Sequence, residues 1–469
     1  MKKNKKEINE EKFYKNVCLI KKQISKAERK IKKQNIKRRR KLRKYIEKRD
    51  DNEILHKIKE FNENGKQTIC YFVDSFYPCI DGVLYVLESY VEYMQKYYNV
   101  VVCAPKHNGE CYKIDKYFVL YANSVPMKKQ GYDMAWPSFD SDFQKYISLL
   151  NIHLIHLQSP FNMGAFGLEL AKKRKIPCFS TFHSQFKKNF YDATKSELLA
   201  TWLTRTIIKI YQNSTVALTM NPFAKNVMIE YGLKRPVEIV PNATNLVKKK
   251  FKKEFEVETL NKYHINTKTF NMIFIGRFVA VKNIFFILEV LKDLVKVNPN
   301  FNYIFLGYGP DEEKLKQMTR EYGLQNHVIF TGKITDDDEK AVIIKNSNLM
   351  FFPSKYEIDS LVKIEAACYD VPTLCLENTS ISSVLIDNQN GFICKDDKKE
   401  IVNRLDFLIK NVDFVKEVGK KANLEVYLTW DDSCKILKKL YDENINKFIL
   451  NKKRKITKKH KKIEKKAKK

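Results

Sequence analysis

From Thr68 onward, short apolar runs alternate with longer segments of helical period. The first series is TICYFV (68–73), NVVVCA (99–104), HLIHL (153–157), IPCFSTF (176–182) and STVALTM (214–220). Continuous apolar runs that alternate with helices predict parallel strands buried on both faces, hence a doubly wound α/β sheet. A second series follows the Lys-rich stretch 247–268: MIFIGRF (272–278), NYIFLGYG (302–309), HVIFTGKI (327–334), NLMFFPS (348–354) and PTLCLE (372–377). Two α/β domains of similar size result, 67–246 and 247–430, followed by a helix over 431–450. No internal repeat of 20–50 residues is present.

Residues 1–66 have another pattern. Phe13, Val17, Ile20, Ile24, Ala27 and Ile31 recur at spacings of three and four, a helical seam that precedes KRRRKLRK (37–44). A solvated basic helix or weak coiled coil explains this, and so does a cationic arm that lies on an anionic surface. Charge separates the ends from the middle. Of 469 residues, 87 are Lys or Arg and 55 Asp or Glu; residues 1–66 hold 25 basic and 10 acidic, and residues 451–469 hold 12 and one. The part between is close to neutral, so a partner argued from charge belongs to the basic extension 1–66 and the basic tail 451–469. The ends show no aromatic interleaving, recognition-helix pattern or zinc spacing, which argues against a specific nucleic-acid partner. Ten cysteines form no CxxC pair, and Cys70, Cys103, Cys178 and Cys375 lie in apolar runs as small hydrophobes. The opening MKKNKKEINEEK has no apolar core of a signal peptide, and no stretch approaches the roughly 18–20 apolar residues that span a bilayer. The expectation is a soluble or peripheral protein of a reducing compartment.

Ligands of open α/β sheets bind beyond the carboxyl ends of the strands. After the first strand, DSFYPCIDGV (74–83) leads into a helix, and Gly82 lets a ligand approach the backbone where helix N–H groups are free. His183, after IPCFSTF, is placed either to bond a ligand or to serve as a satisfied structural histidine. Arg277 and Lys282 in GRFVAVKN (276–283) are spaced to clamp two phosphates and neutralise a leaving group; two surface cations are the plainer reading. In FFPSKYEIDSLVKIEAA (351–367), Glu357 falls in a loop. Glu365 falls in the second turn of a helix that starts near Ser360, suited to accept from a diol. The amides of Ser360, Leu361 and Val362 are free for a phosphate. Asp140-Ser141-Asp142 and Asp336–Asp338 formally match a metal-binding Asp-x-Asp, but both precede helices, where N-capping is the simpler use.

Taken together and in this order, PCIDGV, residues 154–184, GRFVAVKN, FLGYGPDEEKLKQM (305–318), VIFTGKI (328–334), the Glu-x7-Glu segment and NGF (390–392) resemble the glycosyltransferases of family 4. The resemblance covers about residues 68–450. It implies the GT-B fold, two Rossmann-like domains facing a cleft, and retaining transfer of a hexose from a nucleotide-diphosphate sugar without a metal or other cofactor. By motif match, Arg277, Lys282 and Gly82 would meet the donor diphosphate, Glu365 the ribose, and Glu357 and His183 the transferred sugar. Ser360, Leu361 and Val362 would hold phosphate and sugar through their amides, Lys333 would line the base pocket, and the C-terminal helix would cross back to the first domain. QSPFNMG (158–164) with TFHSQF (181–186) looks most like the branch that glycosylates membrane lipids such as diacylglycerol. That implies a UDP-linked donor and a cytoplasmic protein peripheral at the inner face of the membrane, held through its basic ends. A polysaccharide or cell-envelope glycan acceptor, or a non-catalytic GT-B partner subunit, are the alternatives. Three positions depart from the family pattern: Ser360, Ala243 and Asp370 stand where glycine is usual.

Overall fold

The computed structural model describes residues 50–127 and 132–467; the seam Phe13–Ile31 and the KRRRKLRK block lie outside them. Two compact units are present. The first comprises Met1–Thr219, Val227–Glu238 and Cys434–Lys469, the second Met220–Asn226 and Ile239–Ser433.

The strands of the first unit are β1 (Thr68–Phe72), β2 (Asn99–Pro105), β3 (Phe118–Ala122), a hairpin of β4 (Ser124–Met127) and β5 (Tyr132–Ala135), β6 (Ile152–Leu157), β7 (Cys178–Thr181), β8 (Val216–Thr219) and β9 (Val237–Ile239). Its main sheet has the order β3-β2-β1-β6-β7-β8-β9, with β3 through β8 parallel. Every residue of β1 and β2 is buried, which is why these segments read as unbroken apolar runs. The helix Asp50–Glu63, which the sequence assigned to the basic extension, buries Ile58 and Phe61 in this core. Phe61 meets the Phe118 ring edge-on at 5.7 Å, and Asn99 Nδ2 donates to Phe61 O at 2.9 Å.

The second unit carries β10 (Phe270–Ile275), β11 (Phe301–Leu306), β12 (Val328–Gly332), β13 (Leu349–Phe351), β14 (Thr373–Leu376) and β15 (Phe392–Cys394), all parallel, in the order β12-β11-β10-β13-β14-β15. This is the Rossmann order. Its direction reverses between β10 and β13, as that of the first sheet does between β1 and β6, and such switch points open a crevice for ligands.

The last helix runs Trp430–Ala467, through the segment expected as a tail. Within the first unit its Tyr441 is fully buried, 3.2 Å from the Tyr71 hydroxyl and hydrogen-bonded to His156 Nδ1. His156 Nε2 meets Thr181 Oγ1 at 2.7 Å, and burial holds this imidazole well below its usual pKa. No helix among the described residues is long and apolar enough to cross a membrane.

Candidate active site

In the second unit the loops after β10 and β13 meet at the switch point. The backbone after β10 is packed against the loop after β11 so closely that a Cβ at Gly307 would stand 2.0 Å from Gly276 O. Gly307 itself has φ +144°, a region that favours glycine. Arg277 follows on this rigid ledge, exposed and without an ion pair among the described residues. A short 3-10 turn, Ala280–Lys282, then turns the chain, and the Ala280 amide donates to Asp311 Oδ2 at 2.6 Å. Asn283 closes the turn in the left-handed region at φ +61°, and its Nδ2 donates to Pro353 O at 3.1 Å, tying the two loops together. Lys282 Nζ lies 2.6 Å from Glu357 Oε1 and 5.3 Å from the centre of the Phe352 ring.

The loop after β13 ends at Ser360, the N-cap of the helix Leu361–Cys368. The Ser360 amide was expected to be free but donates to Asp359 Oδ1 at 3.0 Å. Two N–H groups, of Leu361 and Val362, therefore remain from the predicted trio. Asp359 is held in turn by Lys363, a fully desolvated pair with side chains 4% and 5% exposed, and Lys363 Nζ also donates to Ser360 O at 3.0 Å. Glu365 lies in the second turn as expected. Lys340 Nζ stands 2.7 Å from its Oε2, an ion pair that holds this carboxylate. Lys333, just past β12, lies over the Tyr308 ring at 5.4 Å, and Tyr308 is half exposed beyond β11. The second unit thus gathers Arg277, Lys282, Glu357, Glu365 and the helix amides at one end of its sheet.

Of the three departures from glycine, only Asp370 takes a conformation that glycine favours, φ +61°, and Lys248 Nζ binds its carboxylate at 2.6 Å. Ser360 has φ −113° and Ala243 is fully buried with no positive φ, so neither strains the backbone.

The first unit's switch point has different contents. Gly82 opens the helix Gly82–Met94, with Asp81 Oδ1 accepting the Leu84 amide at 2.9 Å. A Cβ at Gly82 would meet nothing within 4 Å, so the fold itself does not require glycine there. Asp74 spans from β1 to the loop after β6: Oδ1 accepts the Met163 amide and Oδ2 the Ser159 hydroxyl, both at 2.8 Å. Burial pushes its carboxyl up to about 6, against the opposing pull of these donors. His183 is buried, its Nε2 2.7 Å from Gln158 Oε1, and burial holds it at about 4, so it is neutral at physiological pH. With Nε2 taken as the protonated nitrogen from this contact, the satisfied-histidine reading gains weight over a direct ligand contact. Gln158, which the sequence reading passed over, offers a buried Nε2 with no acceptor among the described residues.

Asp140 Oδ1 accepts the amides of Asp142 and Phe143 at 3.1 Å, and Asp336 Oδ1 those of Asp338 and Glu339 at 2.8 and 3.3 Å. Both Asp-x-Asp matches are therefore helix N-caps.

Two successive sheets in Rossmann order, the second with Lys282 paired to Glu357 beyond its switch point, are the elements of the GT-B fold. A Glycosyltransferase Family 4 model matches residues 80–248, and a model of Glycosyl transferases group 1 matches residues 256–424. The alpha-monoglucosyldiacylglycerol synthase of Acholeplasma laidlawii is 23% identical over 403 residues, 81% of this chain and 99% of that one. The synthase of the same name from Streptococcus pneumoniae R6 is 21% identical over 325 residues, 68% and 73% of the two chains. Anabaena HepE in complex with UDP superimposes with a TM-score of 0.64 at 12% identity, over 80% of this chain and all of that one. The chain belongs to glycosyltransferase family 4 and is a glycosyltransferase.

Proposed function

We propose that this enzyme transfers a hexose, with retention, from a UDP-sugar to a hydroxyl of a membrane lipid such as diacylglycerol. The observation that carries this reading is the similarity, along most of both chains, to the Acholeplasma enzyme named as a monoglucosyldiacylglycerol synthase. The residues of the second unit fit the donor. Transfer breaks the bond between the anomeric carbon and the diphosphate oxygen and forms one from the acceptor oxygen to that carbon, and the acceptor's hydroxyl proton passes to the departing diphosphate. Negative charge grows on the departing diphosphate, and Arg277, Lys282 and the Leu361 and Val362 amides are arranged to stabilise it. Glu365 suits the ribose diol, Glu357 the sugar hydroxyls, and Lys333 beside Tyr308 the base. In the free protein Glu357 neutralises Lys282, so donor binding would trade that contact for one to phosphate. Gly82, with nothing near its Cβ position, and the neutral His183 are the first unit's candidates for the diphosphate and the transferred sugar. The basic ends hold the enzyme at the anionic cytoplasmic face of the cell membrane, where each Lys or Arg contributes up to about 1 kcal/mol.

The test is incubation of the full chain with radiolabelled UDP-glucose and dioleoylglycerol in phosphatidylglycerol vesicles, with product analysis by NMR. An α-linked glucosyl-diacylglycerol is expected. Hydrolysis of UDP-glucose without lipid product would refute the acceptor, and transfer only from another nucleotide sugar would refute the donor. Co-sedimentation should favour phosphatidylglycerol over phosphatidylcholine vesicles and weaken as salt rises.

A further inference from the structure

Beside the first unit's switch point, the loops after β1 and β2 and the β4–β5 hairpin enclose a depression of about 230 Å3, counted out to its open mouth. Asp74, Tyr77, Pro105, Lys106, His107 and Asp133 line it, and apart from the open solvent at its mouth it admits about one water-sized group. The Asp133 side chain is 3% exposed. Its Oδ2 is engaged, 2.7 Å from His107 Nδ1 and 3.2 Å from the Asn108 amide that donates to it. Its Oδ1 is buried and has no hydrogen-bond partner among the described residues. His107 is engaged on its other side, with Nε2 2.9 Å from Asn108 Nδ2. That contact assigns the Nδ1–H tautomer, which faces Asp133 Oδ2.

A buried acceptor without a donor costs about 1–3 kcal/mol, and more when charged, so folded proteins seldom leave one. At the same wall Lys106 Nζ donates to Asn123 Oδ1 at 3.2 Å, one of the three N–H groups an ammonium carries. An acceptor lacking a donor, beside a cation with donors to give, matches a hydroxyl, which supplies one hydrogen and accepts another. An ester, ether or phosphate oxygen has no hydrogen to supply and would face the carboxylate unfavourably.

We propose that this depression is a hydroxyl-binding subsite, in which Asp133 Oδ1 accepts the O–H hydrogen of a polyol such as the glycerol moiety of an acceptor lipid. Its biological use rests on the transferase reading above; its chemistry does not. The test is saturation-transfer NMR with glycerol on the full-length protein, wild type against Asp133→Asn. The asparagine keeps the volume and can still accept from His107 and Asn108 through its oxygen, while it turns an NH2 group into the depression. Glycerol binding should weaken about tenfold or more, the scale of a lost hydrogen bond to a charged group. Should Asp133→Asn fail to fold, as judged by thermal unfolding, Lys106→Met removes the opposing donor and should also weaken binding. Equal glycerol signals in wild type and a folded variant would overturn the proposal and leave the floor to an ordered water. The two readings fail separately. Loss of glycerol binding in Asp133→Asn, with no glucosyl transfer to dioleoylglycerol by the wild type, sustains the subsite and sinks the lipid acceptor. Transfer by wild type and Asp133→Asn at the same half-saturating dioleoylglycerol sustains the transferase and sinks the subsite.

Discussion

The switch points of the two sheets are made of different materials. Beyond β10 and β13 stand formal charges at or near the surface: an exposed Arg277, and Lys282 and Glu357 in a pair about one-fifth exposed. Beyond β1, β6 and β7 the key polar groups are buried, and the histidine among them is neutral: Asp74 under three donors, His183 on Gln158. Charges near water are cheap to keep and ready to meet an anion, whereas buried hydrogen-bonded groups hold position and select by shape and hydrogen bonding. The proposed donor site uses the first kind of group and the proposed acceptor end the second.

The largest effect expected from this contrast is on rate. Glu365→Ala should lower transfer about 100- to 1000-fold while the protein still folds, since its neighbour Lys340 is about one-fifth exposed and stays solvated. Near-normal turnover would remove Glu365 from the site.

Among the described ion pairs of the charged end, Asp359–Lys363 is the most desolvated. Lys363→Leu alone should destabilise the second unit by about 3–5 kcal/mol, because it strands a buried carboxylate. The double variant Asp359→Leu/Lys363→Leu should recover most of that loss in denaturant unfolding. Equal losses in the single and double variants would show that the side chains act through packing alone.

The buried end is sharpened by pH. The Asp74 carboxyl, raised from 3.8 to about 6, contributes stability that is complete below pH 3.8 and is lost as pH rises through 6. His183, lowered from 6.5 to about 4, contributes stability that is present above pH 6.5 and is lost as pH falls through 4. The two slopes oppose each other between pH 4 and 6.5. His183→Gln removes one of them, so between pH 6.5 and 4 the variant should gain stability relative to wild type, by up to about 3 kcal/mol. Parallel stability curves would show that His183 is not held neutral by burial.

Gly82→Ala is the smallest perturbation. With open space around the new methyl and a helical position to occupy, unfolding should shift by no more than about 1 kcal/mol, toward greater stability. A fall in transfer rate without a fall in stability would locate the ligand at that helix start; an unchanged rate would show that the space is idle.

The charged end was largely legible in the sequence. Strand ends are marked by apolar runs giving way to Gly or Pro, and Arg277, Lys282, Glu357 and Glu365 follow those marks directly. What the sequence hid was how these groups are partnered across long separations: Lys282 with Glu357, Lys340 with Glu365, Asn283 Nδ2 with Pro353 O. The occupied Ser360 amide was hidden for a local reason, since Asp359 reads as a loop residue until Lys363 is seen to fix it. The buried end was poorly legible because glutamine and histidine in strand-flanking runs look alike whether they bind a ligand or each other. Likewise, Ile58 and Phe61 sit in a charged helix whose composition resembles the basic segment before it, and only packing assigns them to the core.

The central claim is that the second unit's charged switch point holds the donor diphosphate, and calorimetric titration of UDP into the full-length protein tests it most directly. Arg277→Ala should raise the UDP Kd by about tenfold or more, the scale of a lost charge-assisted contact to phosphate. A UDP Kd identical in wild type and Arg277→Ala would contradict the account.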